Sequence, residues 1–252
     1  MSVSEALLTV MVVWVVAVAA ARWGLAPVLR RGPRGDAETG LMWWAVRAYC
    51  RVMHRTRYRG LELLPQSDGD HAGLIVVSNH TGSVDPLIIQ SRCRFHIRWL
   101  MATDTMAPLL DWLWKWQEVI PVRRDGRDAA ALREAIRHVR GGGAVGVFPE
   151  GRIAVPPREV RPFFSGVGVL IAKTQVPVLL VWVSGTPDTS DMFQALTTRS
   201  RARVEFIDVV DFGGEEEASV ITERLRERIS EVSGWALNDE LRPPGRGEEG
   251  GF

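Results

Sequence analysis

The chain has 252 residues, 46% of them apolar and 24% charged, and a formal net charge of +1. This composition excludes an intrinsically disordered, collagen-like or disulfide-scaffold protein. The length allows one large domain or two small ones with a sizeable core. The two cysteines, Cys50 and Cys93, offer neither zinc-ligand spacing nor a disulfide framework, so we expect reduced thiols in a cytosolic setting.

Positive charge is concentrated at the amino-terminal end of the chain. Residues 1–60 contain nine arginines and three acidic residues, a net charge of +6, whereas the remainder has a net charge of −5. The basic segment adjoins the most apolar stretch of the sequence. This pairing favours a membrane surface as the partner and argues against nucleic acid.

The most apolar stretch, Ala6–Ala21, contains no charged residue. As a helix it would be about 24 Å long, somewhat shorter than a ~30 Å hydrocarbon core. Glu5 precedes the stretch and arginines follow it, which is the reverse of a signal peptide and places the following chain in the cytoplasm. We expect an uncleaved membrane anchor that spans or half-inserts; a buried core helix is the alternative.

A second amino-terminal segment, Leu41–Arg59, places apolar residues at helical spacing and arginines largely on other faces. A basic amphipathic helix with tryptophans is typical of a segment that lies in the membrane interface. The alternative is an ordinary amphipathic helix packed on the domain.

From Tyr58 onward, strand-like runs alternate with helical patterns. The strand candidates are Gly73–Ser78, Phe95–Met101, Glu118–Val122, Ala144–Phe148, Val178–Val183 and Val204–Val210, and the helix candidates are Met106–Trp116, Asp128–Arg140, Gly166–Thr174 and Glu216–Val232. This alternation predicts an α/β domain with a mixed, largely parallel sheet flanked by helices. The predicted organisation is a membrane anchor with an interfacial helix (1–57), the α/β domain (58–237) and a disordered tail (238–252).

The first polar motif, Asn79–Pro86, follows an apolar, β-branched strand. A neutral imidazole at His80 is suited to take a proton from a hydroxyl near neutral pH, provided an acceptor fixes its tautomer. Asp85 supplies that acceptor if the loop curls back at Gly82. The alternatives are a structural loop histidine and an Asp85 that caps a helix beginning at Pro86.

Two further motifs also follow strands. Phe148–Arg152 places a carboxylate, a glycine and a guanidinium together, which suits the close approach of a phosphate; a solvated turn with an ion pair is the alternative. Arg123 and Arg124 follow the strand Glu118–Val122 and provide either a second phosphate contact or a solvated charge run.

The order Asn-His-x4-Asp, a strand ending in arginine, Phe-Pro-Glu-Gly-Arg and a Val-Pro-Val strand resembles the glycerolipid acyltransferase family, which includes the 1-acyl-glycerol-3-phosphate acyltransferases. The resemblance covers roughly Tyr58–Thr186. It implies that His80 is the general base and that Asp85 orients it. It implies acceptor contacts at Asn79, Arg124, Glu150, Gly151 and Arg152, and an acyl-donor side formed by Phe164, Gly166, Val176 and Pro177.

The implied reaction is direct transfer of an acyl group from a CoA or acyl-carrier-protein thioester to a hydroxyl of a membrane lysophospholipid. Lysophosphatidic acid is the leading acceptor and gives phosphatidic acid. No metal or cofactor is expected beyond the acyl thioester co-substrate. The sequence departs from the family pattern in having Ala102-Thr103-Asp104 in place of the usual Ala-Lys pair. The alternatives are therefore another acceptor, or a non-catalytic lipid-binding protein of the same fold.

The tryptophan-rich segment Met106–Trp116 is too apolar for a solvated surface. It either dips into the bilayer or lines the acyl channel, or else it is buried core.

Overall fold

The computed structural model describes residues 11–16, 22, 24, 26–66, 69, 71–123, 128–153, 159–189, 191–214 and 217–239. The helices are α1 (Ala26–Leu29), α2 (Ala37–Val52), α3 (Asp85–Gln90), α4 (Asp111–Trp116), α5 (Ala129–Arg140), α6 (Gly166–Thr174), α7 (Met192–Thr197) and α8 (Ala218–Ser233). The strands are β1 (Arg57–Arg59), β2 (Leu74–Ser78), β3 (Ile97–Ala102), β4 (Ile120–Val122), β5 (Ala144–Val147), β6 (Glu159–Val160), β7 (Val178–Ser184), β8 (Arg203–Val210) and β9 (Ala236–Leu237).

Seven of these strands form one sheet in the order β1-β8-β7-β2-β5-β3-β4. Five of them, β7, β2, β5, β3 and β4, are parallel to one another. Strands β8 and β1 are parallel to each other, and β8 pairs antiparallel with β7. The predicted mixed, largely parallel α/β sheet is thus confirmed. A separate pair, β6 and β9, lies outside it.

Helices cover both faces of the sheet. All five residues of β2 are buried, and they alternate between the two cores, as the two-residue period of a strand requires. Ile75 and Val77 pack with α5, α6 and α8, whereas Leu74 and Val76 pack with α2 and α3. A strand buried on both faces explains the uninterrupted apolar run of β2.

The amino-terminal basic helix is shorter than the sequence predicted. Asp36 caps α2 by accepting a hydrogen bond from Thr39 N–H, and the helix ends at Val52 rather than continuing to Arg59. The chain turns at Arg55, whose φ is 42°, and β1 then pairs with β8. Pairing of the backbone at the sheet edge therefore replaces the last turns of the expected helix.

The predicted anchor Ala6–Ala21 falls mostly outside the described residues. Residues 11–16 are helical and exposed. Within the part of the chain that the structure describes, no helix has both the length and the apolarity needed to cross a membrane.

Both cysteines are buried and have free thiols. Burial raises the pKa of Cys50 to about 12 and also raises the pKa of Cys93. Neither thiol is therefore reactive near neutral pH.

Candidate active site

The polar motifs meet at one edge of the sheet. Strands β2, β5 and β7 are parallel neighbours, so the loops that follow them leave at the same edge. The first loop carries His80 and Asp85, and the loop after β5 carries Glu150. Backbone N–H of His80 lies 3.4 Å from Oε1 of Glu150, which joins the two loops.

His80 and Asp85 form a hydrogen-bonded pair. Nδ1 of His80 lies 3.0 Å from Oδ2 of Asp85. The same oxygen accepts hydrogen bonds from Thr81 N–H at 2.6 Å and Gly82 N–H at 2.9 Å. Asp85 is fully buried, and its carboxylate accepts from these two backbone donors as well as contacting the imidazole. The carboxylate is thus fixed by the loop before any substrate arrives.

Asp85 does not cap α3 in the usual way. It is the first residue of the helix, Val84 occupies the capping position without a side-chain hydrogen bond, and Pro86 follows. The Asp85 carboxylate instead turns back toward the preceding loop. Asp85 is therefore not the N-terminal capping residue of α3, as one interpretation of the sequence predicted. The loop does curl back on Asp85 as expected.

Aromatic rings fix the orientation of the His80 imidazole. The imidazole stacks on Phe148 with centroids 4.1 Å apart, and Phe148 stacks on Trp99 at 4.8 Å. Gly146 makes room for this stack, since a Cβ there would lie 2.4 Å from the Trp99 ring. With Nδ1 held by Asp85, Nε2 of His80 has no hydrogen bond to a described residue.

Glu150 lies beside the pair as a buried carboxyl group. Its pKa is raised to about 8, chiefly by burial. The nearby Asp85 charge also raises the pKa, while the His80 N–H and Arg161 lower it. Its Oε2 atom has no partner among the described residues. Glu150 is consequently neutral at neutral pH and adds no second negative charge beside Asp85.

Asn79 does not have the substrate-contacting position that the resemblance implied. Its Nδ2 donates to Val183 O at 2.8 Å, and its Oδ1 accepts from Val183 N–H at 2.7 Å. Both ends of the amide are bonded to the β7 backbone and the side chain is buried. Asn79 therefore extends the pairing of β2 with β7 and fixes the start of the His80 loop.

The Glu-Gly-Arg motif contacts the predicted donor side. Gly151 has φ 65°, and a Cβ there would lie 2.3 Å from the Phe164 ring. Phe164 N–H also donates to Pro149 O, and Gly166 begins α6 nearby. Arg152 is half-buried but is not among the residues that line the adjoining cavity. Arg124 lies outside the described residues.

Val176 and Pro177 lie away from the other predicted site residues. They immediately precede β7, which runs parallel to β2, so they occupy the opposite edge of the sheet from His80. Pro177 O accepts from Ile75 N–H there. Their assignment to the acyl-donor side is therefore wrong in position, and they stabilise the start of β7.

A large apolar cavity of about 1110 Å³ opens beside His80. Its walls include Met42, Trp43 and Val46 of α2, Leu113, Trp114 and Trp116 of α4, Val167 and Leu170 of α6, and Phe193 and Leu196 of α7. No residue of α4 is buried, and Trp112 is 64% exposed. The tryptophan-rich segment is therefore a cavity wall rather than core.

Two further polar residues line this cavity. Ser83, which the sequence did not single out, lies in the His80 loop. Arg123, for which the sequence left a phosphate contact and a solvated charge run open, lies at the end of β4 with its N–H bonded to Asp128.

A family model described as Acyltransferase matches residues 55–184, slightly more than half of the chain. The chain belongs to the acyltransferase family. It is accordingly an enzyme that transfers acyl groups. The matched range contains the His80 loop, Glu150 and the stacked rings, so the geometry described above lies within the family domain.

A solved structure has a similar fold. The crystal structure of the 1-acyl-sn-glycerophosphate (LPA) acyltransferase PlsC from Thermotoga maritima superimposes on this acyltransferase with a TM-score of 0.58 and 21% sequence identity. The alignment covers 90% of this chain and 95% of that one. The similarity shows a shared fold over nearly the whole chain. No curated protein sequence matches the chain.

Proposed function

We propose that this acyltransferase moves a fatty acyl group from a CoA or carrier-protein thioester to a free hydroxyl of a lysophospholipid. The preferred acceptor is 1-acyl-glycerol-3-phosphate, and the product is phosphatidic acid. The observation that carries the proposal is the His80–Asp85 pair at the wall of a large apolar cavity. A candidate proton acceptor beside a space suited to acyl chains supports the proposed transfer.

His80 acts as the general base. Its Nδ1–H donates to Asp85, so the lone pair on Nε2 takes the proton of the acceptor hydroxyl. The alkoxide oxygen attacks the thioester carbonyl carbon and gives a tetrahedral oxyanion. Collapse of that intermediate breaks the carbon–sulfur bond, and His80 returns its proton to the departing thiolate.

Asp85 stabilises the imidazolium that forms during the reaction. Its charge is buried and its orientation is fixed by two backbone donors, so little reorganisation is needed at the moment of transfer. The ring stack with Phe148 supports the same geometry from the other side. Asn79, Phe148 and Trp99 are therefore positioning residues.

The acceptor phosphate requires cationic groups near the cavity. Arg123 lines the cavity and is exposed, which supports a role in binding the acceptor phosphate beside the Arg124 and Arg152 contacts implied by the resemblance. A guanidinium suits a phosphate because it donates two parallel hydrogen bonds. The proposed donor-side residues Phe164 and Gly166 also line the cavity.

The amino-terminal segment, residues 1–57, is proposed to hold the enzyme on the cytoplasmic side of a membrane. In α2, Leu41 is 61% exposed, Trp44 42% and Val52 63%. Arg47 lies over the rings of Trp43 and Trp44 at 4.4 and 4.7 Å. Exposed apolar residues next to arginines are typical of an interfacial helix, and the cavity opens against α2, so lipid substrates enter without crossing water.

An acceptor panel tests the substrate assignment. Purified enzyme is supplied with palmitoyl-CoA and either lysophosphatidic acid, lysophosphatidylglycerol or lysophosphatidylethanolamine, and products are identified by mass spectrometry. We expect the highest kcat/KM with lysophosphatidic acid. A higher value with a head-group lysolipid would reassign the acceptor, and thiol release without any acylated lipid would contradict the proposed reaction.

A further inference from the structure

Four arginines outside the catalytic cavity form a separate concave surface. Arg55, Arg57, Arg201 and Arg203 line a cavity of about 380 Å³ together with Ala202. All four arginines are exposed. No ion pair joins any of them to another described residue, so the four positive charges are not neutralised within that part of the chain. We call this surface the arginine cluster.

The arginine cluster lies at the same edge of the sheet as the His80 loop. Arg57 pairs with Arg203, and Arg203 pairs with Ser184 at the end of β7. On the other side of β7, Ser78 pairs with Val181. Ser184 lies three residues after Val181 along β7. Measured along the strands, Arg203 therefore lies as far toward this edge as a position three residues after Ser78, which is within the His80 loop.

The spacing of the strands gives the separation along this edge. Strand β8 lies two strands from β2, and β1 lies three strands away. At ~4.8 Å per strand, the cluster is roughly 10–14 Å from the His80 loop. In a CoA or carrier-protein thioester, the arm between sulfur and phosphate is about as long as four extended residues, roughly 14 Å. The two lengths agree.

We propose that the arginine cluster binds the phosphate at the far end of the donor's phosphopantetheine arm. This inference rests on the proposed use of a pantetheine thioester. With the thioester carbonyl at His80, an arm that follows the sheet edge past β7 brings its phosphate to the cluster. Two or more guanidinium groups then bind the phosphate through charge-assisted hydrogen bonds.

The direction of the side chains favours the donor over a membrane surface. Tyr58 and Val204 pack into the core beneath α2 and α3. Because side chains alternate along a strand, Arg57 and Arg203 point to the opposite face of the sheet. A membrane that contacts the exposed face of α2 is therefore on the other side of the sheet from these two arginines.

The test compares donors that share an acyl group and differ in phosphate. Palmitoyl-CoA and palmitoyl-carrier protein carry the phosphate, whereas S-palmitoyl-pantetheine lacks it. The variant is Arg57→Gln/Arg203→Gln, and Arg55→Gln/Arg201→Gln serves if the first does not fold. The matched control is Arg133→Gln/Arg137→Gln, which removes two exposed charges from α5.

We expect the cluster variant to raise the KM for the phosphate-bearing donors by about tenfold or more. The KM for S-palmitoyl-pantetheine should match that of the wild type, and the control should behave as wild type with every donor. If the variant raises the KM more for palmitoyl-CoA, the coenzyme is the source of the bound phosphate. If it raises the KM more for the palmitoyl-carrier protein, the carrier protein is the source.

Equal KM values in the variant and the wild type would overturn the inference while leaving the proposed function intact. An unchanged KM together with lost binding to anionic vesicles of phosphatidylglycerol would also overturn the inference. That result would assign the arginine cluster to the binding of lipid headgroups. If the wild type turns over no thioester, the proposed function fails, and equilibrium binding of CoA decides the inference. Weaker CoA binding by the variant would support it, and equal binding would overturn it.

Discussion

Nδ1 of His80 lies 3.0 Å from Oδ2 of Asp85, and that oxygen is also bonded to the backbone N–H groups of Thr81 and Gly82. The loop therefore orients the carboxylate, and the carboxylate orients the imidazole. The ring stack with Phe148 fixes the plane of the same imidazole. The geometry of the candidate catalytic pair is set within six residues of chain, His80 to Asp85, and by one aromatic neighbour.

Asp85→Asn should reduce kcat by about two to four orders of magnitude. The amide still accepts a hydrogen bond from the loop, but it has no charge to stabilise the imidazolium. Steady-state kinetics of thiol release measure the effect, and Asp111→Asn on the exposed helix α4 is the control. A kcat within twofold of the control would mean that Asp85 has only a structural role.

Gly146→Ala should destabilise the fold by about 1–3 kcal/mol. The new Cβ would lie 2.4 Å from the Trp99 ring and would displace the stack that supports His80. Chemical denaturation measures the loss. The control is Gly24→Ala, where a Cβ has no described atom within 4 Å. Equal stability of both variants would show that the stack tolerates the displacement.

Glu150→Gln should flatten the dependence of stability on pH. The pKa of Glu150 is raised from 4.5 to about 8 in the folded enzyme, so between these values the folded state holds a proton that the unfolded chain has released. The wild type therefore loses stability as pH rises through this window, by up to about 1.4 kcal/mol per pH unit.

The measurement is urea unfolding at pH 5, 6 and 7, with the exposed Glu227→Gln as the control. The control should keep the pH dependence of the wild type. If the Glu150→Gln variant also keeps the pH dependence of stability seen in the wild type, the Glu150 carboxyl is ionised in the folded enzyme.

Leu41→Glu/Trp44→Glu should weaken binding to lipid vesicles by about tenfold or more, because it places charges on the exposed apolar side of α2. Co-sedimentation with vesicles measures binding. Val220→Glu, at an apolar position of α8 that is 48% exposed, is the control. Equal sedimentation of the variant and the control would exclude α2 as a membrane contact.

The sequence predicted most of the sheet because buried parallel strands are apolar, β-branched runs. It missed β1, since Arg57-Tyr58-Arg59 continues a basic helical pattern and becomes a strand only through pairing with β8. It gave α3 only as an alternative, through the helix start at Asp85-Pro86. It missed the short helix α7 and the pair β6–β9, which are too short to show a period.

The contacts of the candidate site that join residues close in sequence could be predicted. His80 and Asp85 are five residues apart, so the loop alone suggested their contact. The bond from His80 N–H to Glu150 spans 70 residues, and the Phe148–Trp99 stack depends on sheet pairing, so neither could be derived. The position of Val176 was misjudged although the signal was present, because residues that precede a parallel strand lie at the edge opposite its catalytic loops.

Acceptor-dependent thiol release by His80→Gln shows whether His80 is the general base. The experiment uses palmitoyl-CoA with and without lysophosphatidic acid, and circular dichroism verifies that the variant is folded. If His80 is the general base, acceptor-dependent release falls by at least about a hundredfold, while the variant still binds vesicles as the wild type does. Acceptor-dependent release at the wild-type rate would contradict the account, because proton transfer would then proceed without His80.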